Sequence, residues 1–144
     1  MNVLTEWKYP ISVAPQDVDA GVKVEGKDAA VWGADWAAAT VTGATLDANS
    51  AGTWWVEETN DVNGAWTVVP DSVVTFPAHP KLDIYQVTAI RITPKRSAYL
   101  RIVVEAAGAV EGGGMKHVTG LFQIGPWAMQ PVSSGANVII DPKV

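Results

Sequence analysis

Hydrophobic and polar residues alternate along most of this chain with the period of two that sends successive side chains to opposite faces of a strand. Over Tyr99–Glu105, Leu100, Ile102 and Val104 share one face, while Arg101 and Glu105 flank Val103 on the other, which is only partly wet. Thr53–Glu58 forms a second strand, in which the consecutive Trp54 and Trp55 must point to opposite faces, one to a core and one outwards. A loop over 59–65 leads to a return strand over 66–69. Asn63-Gly64 marks the turn, since both residues accept positive φ cheaply, and Pro70-Asp71 closes the unit. The pattern predicts further strands over 22–26, 85–93, 117–124 and 127–132, with a surface loop over Phe76–Pro80 and a short apolar tail over 137–142 that pairs with another segment.

Two segments read differently. Ala29–Ala39 is helix-like, with Trp32 and Trp36 four apart among alanines, but Gly33 stands between them. At most one short helical turn is expected there, before a strand over 39–46. Residues 1–20 carry Trp7, Tyr9, Pro10 and Pro15, and each proline removes a ladder donor. That stretch reads as an extended N-terminal arm or an edge strand, folded on its own domain or reaching a neighbour.

Seven or eight short strands at spacings of about ten residues, without a βαβ rhythm, predict an all-β fold: an antiparallel, jelly-roll-like β-sandwich. The chain has 144 residues, which suits a single domain over 1–144. Thirteen glycines and nine prolines supply the turns. The net charge of −5, with ten basic residues dispersed along the chain, argues against nucleic acid as a partner. The chain has no cysteine, which excludes disulfides, thiolate metal sites and cysteine nucleophiles. No signal peptide is visible at the N-terminus, and no apolar run has the length of a membrane span.

Candidate chemistry is sparse. His79 and His117 lack the spacing of a metal site, so no metal and no cofactor are expected. Ser133-Ser134-Gly135 and Ser50 lack a nucleophile elbow. Glu57 and Glu58 lie beside Trp54 and Trp55 as in sugar-cleaving clefts, but neighbours on a strand face opposite ways, so they read as charges on a wet strand. Asn60–Gly64 lacks the acidic spacing of a calcium loop and reads as a turn, and Gly112-Gly113-Gly114 reads as a loop tip. No catalytic residue is therefore expected. The excess of tryptophan, seven in all, points instead to binding: each indole buries roughly 150–250 Å², and an outward one serves as a protein hot spot or a sugar platform, or is shielded by a loop.

Trp55-Val56-Glu57-Glu58-Thr59-Asn60-Asp61 followed by Ala65-Trp66-Thr67-Val68-Val69-Pro70 resembles a hairpin of small proteins from the head modules of tailed bacteriophages. Pro94-Lys95-Arg96-Ser97-Ala98-Tyr99-Leu100-Arg101-Ile102-Val103-Val104 is similar to a later strand of theirs, although Ser97-Ala98 is inserted between the basic pair and the aromatic. The likeness covers residues 50–107. It implies a capsid decoration or cement protein on the exterior of the virion, bound to the major capsid protein and self-associated as a dimer or trimer, with no nucleic acid or membrane partner. On that reading, Trp7, Tyr9, Trp32, Trp36 and Trp127 are the contact residues. The alternative is a carbohydrate-binding module that uses exposed tryptophans.

Overall fold

The computed structural model describes residues 8–31, 34–45, 52–76, 84–92, 97–106, 114–125 and 137–139. These form strands and turns, with no helix among them. The strands are β1 (Ile11–Asp19), β2 (Lys23–Glu25), β3 (Ala29–Ala30), β4 (Trp36–Thr45), β5 (Gly52–Thr59), β6 (Thr67–Val68), β7 (Val74–Phe76), β8 (Ile84–Arg91), β9 (Tyr99–Ala106), β10 (Gly114–Gly125) and β11 (Asn137–Ile139). One sheet has the order β1-β10-β4-β8-β11. In the second, β2 and β3 both pair with one side of β9, β5 pairs with its other side, and β6 and β7 both pair with the far side of β5. Every ladder is antiparallel except β8–β11.

The inward faces close on one core. Val13, Val18, Ala37, Ala39, Val41, Ile90, Met115, Val118, Phe122 and Ile124 come from the first sheet, and Trp54, Val56, Leu100, Ile102, Val104 and Ala106 from the second. This is the antiparallel sandwich that the alternation predicts. Among the described residues the strands number eleven segments, because both edges of the second sheet are broken in two and β11 adds a further strand beside β8.

Those breaks fall on one row of the sheet. Val56 and Ile102 are register partners at the centre of β5 and β9, and each turns its N–H and C=O outwards, away from the other. On the β9 side, in the gap between β2 and β3, Gly26 N–H donates to Ile102 C=O at 2.8 Å, and Ile102 N–H donates to Ser12 Oγ at 3.0 Å. On the β5 side, between β6 and β7, Val69 N–H donates to Val56 C=O at 2.8 Å, and Val56 N–H donates to Ser72 Oγ at 3.2 Å. Both serines are buried, so each hydroxyl supplies a bond that an unbroken edge strand would have made. Ser12 belongs to β1, and its Oγ also donates to Lys27 C=O at 2.8 Å, so this bond ties the first sheet to the second. Gly26 is required by close approach: a Cβ there would lie 2.6 Å from the Ile102 carbonyl oxygen and collide with Ser12 Oγ.

Local turns follow from sequence chemistry. Val69–Ser72 closes with Ser72 N–H on Val69 C=O, Pro70 at the second position and Asp71 at a φ of 66°, the pattern of a turn that needs positive φ at its third residue. It lifts the chain off β5 and delivers Ser72 into the gap. In the β5–β6 hairpin, Gly64 N–H donates to Asp61 C=O and Asn63 N–H to Asp61 Oδ1. The turn therefore starts on Asp61, with glycine in fourth place, and neither Asn63 nor Gly64 takes the positive φ that the sequence suggests. At the bulge of β10, His117 (φ 54°) donates its N–H to Asp17 Oδ1 of β1. That bond, with Lys116 alongside, holds the Asp17 carboxyl below its ordinary value.

The expected helical turn is absent from the described part of 29–39. Ala29 and Ala30 pair with β9 and Trp36 already opens β4, so a β partner is available on both sides of the segment and overrides the helix propensity of alanine. Residues 127–132 and the Pro-rich 77–80 lie outside the described residues. Ser12→Ala and Ser72→Ala each leave a buried N–H unpaired, and each is expected to cost about 1–3 kcal/mol. Gly26→Ala is expected to cost about 1–3 kcal/mol through overpacking. Urea denaturation of the three variants measures these losses, and stabilities equal to the parent would remove the row from the account.

Candidate interaction surface

The register of β5 against β9 decides which side chains leave the core of the second sheet. Trp54 is fully buried, and Trp55 stands half-buried on the outer face beside Val103, as alternation requires. Arg101 sits opposite Glu57 on the same face. Its Nε and Nη2 donate to Glu57 Oε1 at 2.8 and 2.6 Å, its Nη1 lies 3.2 Å from Glu25 Oε2, and its guanidinium stacks 4.4 Å from the ring centroid of Trp66. Trp55 Nε1–H donates to Glu57 Oε2 at 3.0 Å, and Lys23 extends the chain of charges to Glu25. Glu57 thus uses both oxygens, and Arg101 is engaged by two carboxylates and an indole. The cluster is satisfied from within, and its two outward tryptophans are committed to protein partners.

Glu58 does not lie on a wet face. Its side chain points inwards and is buried at 1% exposure, where Oε1 accepts the N–H of Ser97 at 3.1 Å. Asn60 Oδ1 accepts the neighbouring Ala98 N–H at 2.9 Å, so the end of β5 fixes the entry to β9. Glu57 and Glu58 form no joint site, and among the described residues no three His, Asp or Glu side chains gather as a metal site.

The outer face of the first sheet has the opposite character. Three neighbouring rows carry Thr119 and Thr42; Ile11, Leu121 and Thr40; and Gln123, Ala38 and Ala89. None of these bears a charge. Ala38 and Ala89 are buried, Ile11 is exposed at 55%, and the threonines, Leu121 and Gln123 are half-buried. Tyr9, just before β1, is exposed at 64% and extends the apolar margin past Ile11. These side chains carry no charge, so their desolvation costs little, and an interface core is depleted of charge in the same way.

Of the five contact residues expected from the sequence, Tyr9 is exposed on this margin. Trp36 is not available: it is buried at 4% exposure, in register with Gly125 on one side and Arg91 on the other. Trp7, Trp32 and Trp127 lie outside the described residues. Sequence reasoning passed over Thr40, Leu121 and Gln123, although a signal for them existed. Trp36–Thr45 and Val118–Gly125 contain no charged residue on either face, whereas a strand with one wet face alternates with polar or charged groups.

Fold and surface together define an all-β sandwich with one charge-paired face and one face whose three central rows carry no charge, flanked by the Asp17–Lys116 ion pair. No protein-family model matches the chain, and no curated protein matches it.

Arg101→Met leaves Glu57 as a mostly buried, unpaired carboxylate, since the two side chains are 16% and 13% exposed. The expected loss is about 3 kcal/mol. Adding Glu57→Gln to Arg101→Met is expected to recover at least about 1 kcal/mol of that loss in a double-mutant cycle. Strictly additive losses would contradict the pairing.

Proposed function

We propose that this chain is a non-enzymatic virion structural protein that binds the outer surface of an icosahedral phage capsid and cements neighbouring major capsid subunits through the uncharged face of its first sheet. The observation that carries the reading is the contrast between the faces: one saturates its charges internally, whereas the other has three adjacent rows without charge, in which Thr40, Thr42, Thr119, Leu121 and Gln123 are half-buried, fringed by exposed Ile11 and Tyr9. An interface core is depleted in charge in this way, and aromatic residues at its margin add buried area.

Topology is a second support. With each broken edge counted as one strand, the orders β1-β10-β4-β8 and β2/β3-β9-β5-β6/β7 are compatible with a jelly roll of two four-stranded sheets, in which every connection but β5 to β6 crosses between the sheets. Jelly rolls build capsids and also lectins, so the fold agrees with the reading without selecting it. The resemblance of residues 50–107 to phage head-module proteins is what favours the capsid reading over the lectin one. Physically, cementing adds buried apolar area across seams between subunits and needs no reacting group.

The test is to mix the purified protein with capsids assembled without it and to image them by electron microscopy. Regular added density at symmetry-related positions is expected. Bare shells at saturating protein would overturn the reading.

A further inference from the structure

The tip of the β5–β6 hairpin carries chemistry that neither face of the sandwich uses. Asn63 is followed by Gly64, a pairing found nowhere else in the chain, and residues 60–65 are exposed. The side-chain amide carbon of an asparagine is an electrophile within cyclising reach of the next residue's backbone nitrogen. Glycine in that next place has no Cβ to obstruct the approach. Gly64 also lies outside the positive-φ region, so its missing side chain is not spent on the turn.

The fold engages that same nitrogen. Gly64 N–H donates to Asp61 C=O at 2.9 Å, and Asn63 N–H donates to Asp61 Oδ1 at 3.0 Å. Asp61 is itself fixed: its N–H donates to Thr59 Oγ1 at 3.1 Å, and that hydroxyl lies 2.9 Å from the carbonyl oxygens of Asp61 and Ala65. A Cβ on Gly64 would lie 3.2 Å from Asp61 Oδ2, so the carboxylate stands against the glycine. The hydrogen bond holds the proton that the nitrogen must lose before it attacks, and the carboxylate opposes the negative charge that would develop there. Asp61 therefore keeps the reacting pair apart for as long as the turn is closed.

We propose that Asn63 is a self-modification site, deamidating at a rate set by opening of the turn that Asp61 holds. In the open turn, hydroxide takes the proton of Gly64 N–H, and the nitrogen attacks Asn63 Cγ. The new N–Cγ bond forms as the bond to the side-chain nitrogen breaks, and that nitrogen takes a proton from water and leaves as ammonia. A second water opens the cyclic imide at either carbonyl, giving aspartate or isoaspartate at position 63. Water is the only co-reactant, and nothing is oxidised or reduced. Isoaspartate adds a main-chain carbon ahead of Gly64 and carries its N–H away from Asp61 C=O, and either product sets a second carboxylate beside Asp61. The change is irreversible and marks the hairpin tip of aged molecules. It is independent of what the faces bind.

The test incubates the parent and three variants, each verified as folded by circular dichroism, in mildly alkaline buffer beside the parent unfolded in urea. Isoelectric focusing follows the more acidic product, and peptide mapping locates it. Folded parent is expected to convert at Asn63 more slowly than the unfolded chain. Asp61→Ala removes both the carboxylate and the anchor for Asn63 N–H, and is expected to convert about fivefold faster than the parent or more, the factor that loss of one hydrogen bond gives. Asp61→Asn keeps an acceptor without the charge and is expected to fall between the two. Gly64→Ala is expected to convert more slowly than the parent. A folded parent as fast as the unfolded chain, an Asp61→Ala variant no faster than the parent, or acidic product that maps to another asparagine would each overturn the proposal.

Discussion

The pairing of Val56 with Ile102 is the constraint on which the rest of the structure hangs. Both residues turn their backbone groups away from each other, so β5 and β9 are held by the hydrogen bonds of the flanking rows, and this row must be satisfied from outside. A continuous edge strand would do so. This chain instead breaks each edge there and sends in a buried serine hydroxyl, Ser12 on one side and Ser72 on the other. Because Ser12 belongs to the first sheet, the repair on that side also sets the position of β1 beside β9. A slip of one residue along β5 would put Trp55 and Glu57 into the core and expose Trp54 and Val56, so the serines fix the register on which both faces depend. The broken edges also present no long ladder to a stray strand.

From that register follows the division of labour between the faces. On the second sheet, Arg101, Glu57, Glu25, Trp55 and Trp66 occupy one another, which leaves a surface that is chemically finished. On the first sheet, the side chains around Thr40 and Leu121 are small or uncharged and have nothing of the kind to satisfy. Paired charges keep a face in water, and uncharged rows make the other cheap to cover. On the proposed function the protein works through its surfaces, and this contrast distinguishes one surface from the other.

Much of the fold was legible because it rests on period-two patterning. The split of Trp54 from Trp55, the shared face of Leu100, Ile102 and Val104, and the hairpin through Asp61–Gly64 are local consequences of alternation and turn chemistry. What was hidden depends on non-local pairing. Glu58 looks like a wet carboxylate until Ser97, 39 residues on, presents a backbone N–H to it. Trp36 looks like a contact aromatic in a helix-like segment until Gly125 and Arg91 are placed beside it in the ladder. The breaks at Gly26 and at Pro70-Asp71 read as ordinary turns, because their common row appears only once β5 and β9 are paired. The uncharged rows were written in the sequence as two charge-free stretches, Trp36–Thr45 and Val118–Gly125, but they show as one surface only when β4 and β10 lie side by side.

The central claim is that the outer face of the first sheet is the contact surface and that of the second is not. A single charge on each face tests it: Leu121→Arg in the middle row of the first sheet, against Val68→Arg opposite Glu57 on the second. With both variants verified as folded by circular dichroism, their affinity for undecorated capsids is measured by co-sedimentation. The account predicts that Leu121→Arg abolishes binding and that Val68→Arg binds as the parent does. Loss of binding with Val68→Arg and its retention with Leu121→Arg would contradict it.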